Sequence, residues 1–363
     1  MQARAERIEW VDTAKAICIL LVVLYHARHS AQLISWDDRT AAEYWHMVNA
    51  VLKPIRMPSF FIISGFLAAG SLRREWSAIA EKRVLRLAWV YAVWTFLFVL
   101  LIPTFPVFGF ADGIFPHFVR DLLSGTSAAW YLWALALFFY FAWVTRDWPW
   151  WAPIAVGAAI AAISPLYTDG LPAQTASALR CLVFFMVGIR MPRILDQVTA
   201  IDPKFALPAI AILAPFVARF HEWQYSLAFF GLFIDAVAAF ATIYICAAVC
   251  RAFPNAGASL RKMSPLTLPI YILHFPLIVF ITHFAATFLP QAILDLDALP
   301  FLFPLALTAI CVPLSLFLHR WLGAMGGDWL FDLPRMMKQG AGARALPLFL
   351  KRRANRPAPE PDR

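Results

Sequence analysis

Apolar runs of roughly 20 residues recur from one end of the chain to the other, and that leaves few folds open. Ten can be read, at 10–29, 50–72, 84–107, 128–146, 149–166, 178–192, 205–220, 226–250, 264–289 and 300–322. A helix satisfies its own backbone hydrogen bonds, so runs of this length predict membrane-crossing helices. Turn and breaker residues separate them: Trp148-Pro149, Ser164-Pro165, Asp169-Gly170, Asp202-Pro203 and Pro254-Asn255-Ala256-Gly257. Only 15% of the residues are charged and mean hydropathy is +0.68, against about 25% charged in soluble domains. The expected fold class is an all-α polytopic membrane protein of about ten transmembrane helices.

Charge gives the orientation. Ten crossings put both termini on one side. With that side cytoplasmic, inner segments hold 23 of the 31 Lys and Arg. Seven fall outside (Arg28, Arg39, Lys53, Arg56, Arg120, Arg180, Arg219), and Lys15 lies within the first run. The same asymmetry accounts for the net charge of +9 without nucleic acid as a partner. The N-terminus carries Glu6, Glu9 and Asp12, its apolar run is interrupted by Lys15, and no small-residue cleavage site follows His26. The first span is therefore expected to be kept. Residues 1–322 form the expected membrane domain. Residues 323–363 read as a basic, Pro-rich cytoplasmic tail, largely disordered and suited to anionic lipid. The five cysteines sit in apolar runs with no metal-ligand or disulfide spacing, and no metal is expected.

Within the first run, Asp12, Lys15 and His26 share one helical stripe. Eleven residues at about 100° each return Lys15 and His26 to the same face, about 16 Å apart along the axis. Charge inside an apolar span is expensive and usually faces a protein interior or a wet cavity. The stripe therefore suggests a reaction chamber or a path. The competing reading has Lys15 snorkelling to the headgroups and His26 at the opposite interface. His274 lies about ten residues into the ninth run with Tyr271 one turn before it, a spacing that lets a tyrosine orient an imidazole and set its tautomer. The alternative is a neutral histidine bonded to a backbone carbonyl. Asp235 is the acid deepest in a late span and needs a partner or a proton. Ser64-Gly65 offers close helix approach, or a hydroxyl with no base nearby in sequence. Arg83 and Arg86 make a two-pronged cationic face suited to phosphates, or are ordinary inner-side charge.

Six segments in order resemble the acyltransferase-3 family of integral membrane acyltransferases. They are Arg7-Ile8-Glu9-Trp10-Val11-Asp12-Thr13-Ala14-Lys15 running to His26, Phe60-Phe61-Ile62-Ile63-Ser64-Gly65-Phe66-Leu67, Lys82-Arg83-Val84-Leu85-Arg86-Leu87, Trp130-Tyr131-Leu132-Trp133-Ala134-Leu135, Phe184-Phe185-Met186-Val187-Gly188 and Ile270-Tyr271-Ile272-Leu273-His274-Phe275-Pro276. The family commonly has Arg eleven before the histidine. Lys15 stands there, as in a branch related to sugar O-acetylases. Lys cannot form the bidentate fork of Arg. The proline often found after the double-Arg element is replaced by Trp89-Val90-Tyr91.

The resemblance implies transfer of an acyl group, usually acetyl, from acetyl-CoA or another cytoplasmic acyl-CoA to a hydroxyl of a surface or periplasmic saccharide or glycolipid. The acyl-CoA is a co-substrate, and no cofactor is permanently bound. It implies a multi-pass protein of the inner membrane with the lipid bilayer as its solvent. His26 is then a general base or transient acyl carrier. Lys15, beside Asp12, positions the donor or stabilises the oxyanion. His274 with Tyr271 is a second acid/base or an orienting pair. Arg83, Arg86 and Ser64 fall to the donor side. Related alternatives are succinyl or longer acyl transfer to a periplasmic glucan. A transporter or flippase, with the buried charges lining its path, is a reading of another class. A non-catalytic sensor does not require the aligned Asp12, Lys15 and His26.

Overall fold

The computed structural model describes residues 9–34, 36, 39–72, 75–101, 113–163, 170–220, 228–334 and 337. Its elements are all helical among the described residues. They are α1 (Glu9–Ala31), α2 (Arg39–Ala68), α3 (Leu85–Leu101), α4 (Ile114–Ser124), α5 (Trp130–Val144), α6 (Ala152–Ile163), α7 (Ala173–Arg190), α8 (Ala206–Phe220), α9 (Ala228–Ala252), α10 (Thr267–Phe288) and α11 (Leu299–Ala324), joined by shorter helical turns. Within the described residues, every expected apolar run falls on a helix; residues 102–107, 164–166 and 226–227 of those runs lie outside the described residues. Among the described residues five helices are long and apolar enough to cross a membrane: Glu9–Ala31, Arg39–Ser71, Phe230–Ala252, Leu260–Phe288 and Leu299–Ala324. Leu85–Leu101, Trp130–Val144 and Ala152–Ile163 are apolar but shorter.

Two expectations change. The second helix does not begin at residue 50, where its apolar run starts, but is continuous from Arg39. It is amphipathic, with Ala41 and Trp45 buried and Tyr44 and Met47 exposed. The tail expected from 323 first forms a 3-10 turn at Gly327–Leu330 and packs on α3. The indoles of Trp89 and Trp94 donate to the carbonyls of Trp329 (2.8 Å) and Leu330 (2.7 Å). The Trp94 indole is buried, and its N–H needs such a partner, which a carbonyl beyond the last helix provides. Residues 335, 336 and 338–363, including the expected disordered tail, lie outside the described residues.

Pairwise contacts fix the helix directions. Trp10 of α1 meets Phe66 of α2 with ring centroids 5.5 Å apart, and Arg56 lies over Tyr25 at 4.4 Å. The two helices are therefore antiparallel. Asp12 accepts from Ser264, and His26 stands beside His274, so α1 and α10 run parallel. One end of the bundle, here called basal, carries Glu9, Asp12 and Asp332. Arg83, Arg86, Arg190, Arg251 and Arg261 gather there too, each on a nearby carbonyl or carboxylate. The distal end is closed by aromatic clasps: Trp36 donates to Leu294 O and Trp45 to Pro300 O, both at 3.1 Å.

Helices α2 and α7 form the tightest seam. Gly65 faces Phe185 and Ile189, and Gly188 faces Ile62 and Phe66. A Cβ on Gly188 would stand 2.9 Å from the Phe66 nitrogen, and one on Gly65 2.9 Å from the Ile189 nitrogen. Small residues let helix backbones close to this distance, where dispersion and weak polar contacts replace the missing hydrophobic drive. Phe61, Ile62, Phe185 and Met186, all fully buried, fill the layer around the seam.

Helices α4 and α5 follow one another on the same path in two pieces. Phe118 of α4 packs on Phe96 of α3, and Arg83 beside α3 lies over Phe139 of α5 at 5.2 Å. Both helices thus run antiparallel to α3, with residues 125–129 as a break between them. Gly125 ends α4 with φ +72°, a left-handed conformation that favours glycine. The ring of Trp133 covers it. Non-helical backbone at membrane depth is tolerated only when its polar groups find partners within the protein. Tyr91 Oη donates to Asp121 O (2.5 Å), Thr175 Oγ1 to Ser124 O (2.6 Å) and Tyr271 Oη to Ala128 O (3.0 Å).

Candidate active site

His26 and His274 sit 248 residues apart in sequence, yet the parallel packing of α1 and α10 brings their rings to 5.2 Å between centroids, tilted by 52°. Phe275 meets the His26 ring edge-on at 5.5 Å, and Phe98 of α3 stands behind Phe275 at 6.0 Å. His274 is 1% exposed. Its Nδ1 lies 3.0 Å from the Ile270 carbonyl. That oxygen can only accept, so Nδ1 carries the hydrogen and Nε2 keeps its lone pair. Nε2 is buried and has no hydrogen-bond partner among the described residues. The His26 imidazole is half-buried and likewise makes no hydrogen bond among the described residues. An unpaired acceptor in a buried site is costly, and it is the state in which an imidazole can take a proton.

Tyr271 does not orient His274 in the way the i, i+3 spacing predicted. Their rings are 5.9 Å apart, and the Ile270 carbonyl sets the tautomer. The Tyr271 hydroxyl instead clasps the break between α4 and α5. It donates to Ala128 O and accepts from Tyr131 N–H at 3.2 Å. The Tyr131 hydroxyl is 2.6 Å from Ser64 Oγ, which donates to Phe60 O at 2.8 Å. Ser64, Tyr131 and Tyr271 therefore tie α2, α5 and α10 together beside the histidine pair.

The remaining sequence candidates stand elsewhere. Asp12 is buried and accepts from Ser264 Oγ at 2.5 Å. Lys15 is half-buried one turn further along α1. His26 is about 21 Å of helix rise from Asp12, so the stripe spans two regions and not one cluster. Arg83 donates to Leu67 O at 3.3 Å, and the Arg86 Nε is 3.3 Å from Asp332. Both arginines are at the basal end. Asp235, which had no partner in the sequence reading, receives Arg180 Nε at 2.9 Å. The sequence reading gave no role to Arg56 or Phe275. Arg56 interrupts an apolar run just as Lys15 does, and the same cost argument would have found it. The five cysteines are buried free thiols. Among the described residues no group of His, Cys, Asp and Glu side chains is arranged to hold a metal ion.

Residues 8–320 match the Acyl_transf_3 family, described as an acyltransferase domain. The chain belongs to that family. It is a multi-pass membrane protein of the acyltransferase-3 family, and both histidines of the pair lie inside the matched region. A curated relative, the Inner membrane protein YcfT of Escherichia coli K12, is 26% identical over 149 residues. The match covers 36% of this chain and 42% of that protein, less than half of its length. No solved structure matches.

Proposed function

We propose that this acyltransferase-3 protein moves an acetyl group from acetyl-CoA, on its basal side, to a hydroxyl of a saccharide presented from the distal side. The observation that carries the proposal is the His26–His274 pair, two imidazoles held together in the bundle with no competing hydrogen bond to His26 or to His274 Nε2 among the described residues. In the proposed reaction the saccharide oxygen attacks the thioester carbonyl. The new C–O bond forms, His26 takes the hydroxyl proton, and the C–S bond breaks. The proton then passes to the departing thiolate. A protonated His26 has the His274 lone pair beside it to share the charge. This is general base catalysis by a positioned imidazole.

The arginines gathered at the basal end support entry of a phosphate-bearing donor from that side. Placing that end in the cytoplasm, with ten crossings and both termini inside, follows the Lys and Arg asymmetry. The inner membrane, named for the relative, is the proposed location. Asp12 and Lys15 lie on the donor side in this reading, with Lys15 positioning the thioester arm.

The break between α4 and α5 favours a second reading, transport, because discontinuous helices build many transporter sites. Proteoliposomes supplied with radiolabelled acetyl-CoA and a saccharide mixture separate the two. The transfer reading predicts label bound covalently to saccharide. Uptake of unmodified saccharide with no covalent label would overturn it.

A further inference from the structure

The His26 imidazole makes no hydrogen bond among the described residues, so its neighbours alone fix where its lone pair points. The outer torsion of a histidine side chain has broad minima, and an unbonded ring turns easily within them. Three rings stand around His26: His274, Phe275 edge-on at 5.5 Å, and Tyr25 at 5.0 Å with the planes 70° apart. Two of these are held from other helices. Phe98 of α3 packs on Phe275. Arg56 of α2 lies over Tyr25, its guanidinium 4.4 Å from the ring centroid. His29 also stacks on Tyr25, at 6.2 Å, but it belongs to the same helix and cannot fix the ring against α2.

Arg56 is a costly residue for a packing contact. It is 6% exposed, and the Asn49 Oδ1 that accepts from its Nη2 at 2.8 Å is neutral. No carboxylate pairs with it among the described residues. The gap it lines between α1 and α2 has room for about one water, so the contact is close-packed. A buried guanidinium without a counter-ion lowers stability, and an apolar side chain of similar length would not. What arginine adds is a flat cation, anchored by Asn49, pressing on a π face.

We infer that Arg56 is a positioning residue: through Tyr25 it holds the His26 imidazole against His274, with Phe275 as the second wall. The brace costs stability and secures the geometry of proton transfer, where a displacement of about 1 Å can cost about 100-fold in rate. That the brace serves acetyl transfer rests on the transfer reading above; that it orders the ring does not.

The test uses the purified chain in phosphatidylcholine nanodiscs with isotope-labelled histidine, the His26 signal being assigned by its loss in His26→Ala. Arg56→Met removes the charge and keeps much of the length. The His26 ring order parameter is expected at about 0.85 in the native protein and below about 0.6 in Arg56→Met. His274, held by its own bond to the Ile270 carbonyl, stays ordered in both. Tm does not fall, because an uncompensated buried charge has gone. The kcat for acetyl transfer falls at least about tenfold, with KM within about twofold. Tyr25→Leu repeats the loss of order and rate, and Tyr25→Phe, which keeps a π face, retains more of both. An equally ordered His26 in Arg56→Met, equal loosening of His274, a lowered Tm, a loss confined to KM, or a Tyr25→Phe protein as loose and slow as Tyr25→Leu would overturn the inference. Should Arg56→Met fail to fold, the two Tyr25 variants decide the matter by the same readings. A native protein whose His26 is ordered by Arg56 but which transfers no acetyl label removes the transfer reading and leaves the brace standing.

Discussion

At the scale of single residues, the cost of burying charge was the most informative signal in the sequence, and it was applied unevenly. It singled out Asp12, Lys15 and Asp235, whose ends or partners the structure supplies as Ser264 for Asp12 and Arg180 for Asp235. Applied equally to Arg56, it would have singled out the guanidinium that donates to Asn49 and lies over Tyr25. What a sequence could not give is the partner, because Asp12 and Ser264 are 252 residues apart and nothing local encodes the pairing. Arg86 shows the same limit from the other direction. Its cationic face is occupied by Asp332 at 3.3 Å, with both side chains nearly half exposed. An exposed pair of this kind is weak, so a donor phosphate can displace it. Asp332→Asn is expected to lower the KM for acetyl-CoA, and Arg83→Gln to raise it, each by about two- to tenfold with smaller effects on kcat. Initial rates over a range of acetyl-CoA concentrations check both.

At the scale of elements, hydropathy located the helices well because each run has to hide its backbone from lipid. It misjudged their ends. The α2 extension from Arg39 is amphipathic, and an apolar window does not register an amphipathic turn. The α4 segment escaped for the same reason, since it is amphipathic and no apolar run marks it. The Gly65–Gly188 seam was half legible. Ser64-Gly65 promised close approach, but the facing Gly188 entered only through the family resemblance, with no packing role. Gly188→Ala would drive a methyl into the α2 backbone and is expected to cost about 1–3 kcal/mol, visible as a lower Tm in detergent. Tyr271→Phe tests the clasp on the break. It removes the donor to Ala128 O and the acceptor for Tyr131 N–H, and should cost about 1 kcal/mol of stability. Because the break abuts the histidine pair, kcat should fall further than KM rises. Steady-state kinetics alongside a melting curve separate the two effects.

At the scale of the whole molecule, parallel packing of the first helix against a helix more than 230 residues later brings two isolated histidines into ring contact. The sequence showed each imidazole within an apolar run, and family resemblance named both. Neither showed that they touch, since the register of α1 on α10 depends on packing in the cluster of Ile19, Val23, Ala27, Ile270 and Ile278. The same architecture separates a basal end rich in arginine from a distal end closed by the Trp36 and Trp45 clasps, with the pair between them. The proposed chemistry depends on the two histidines acting as a unit. Acetyl transfer by the native protein, His26→Ala, His274→Ala and the double variant, compared in membranes at equal protein, tests this most directly. Each single change is predicted to lower the rate at least about 100-fold, and the double variant to be no worse than the poorer single one. Near-native transfer by His26→Ala would contradict the account.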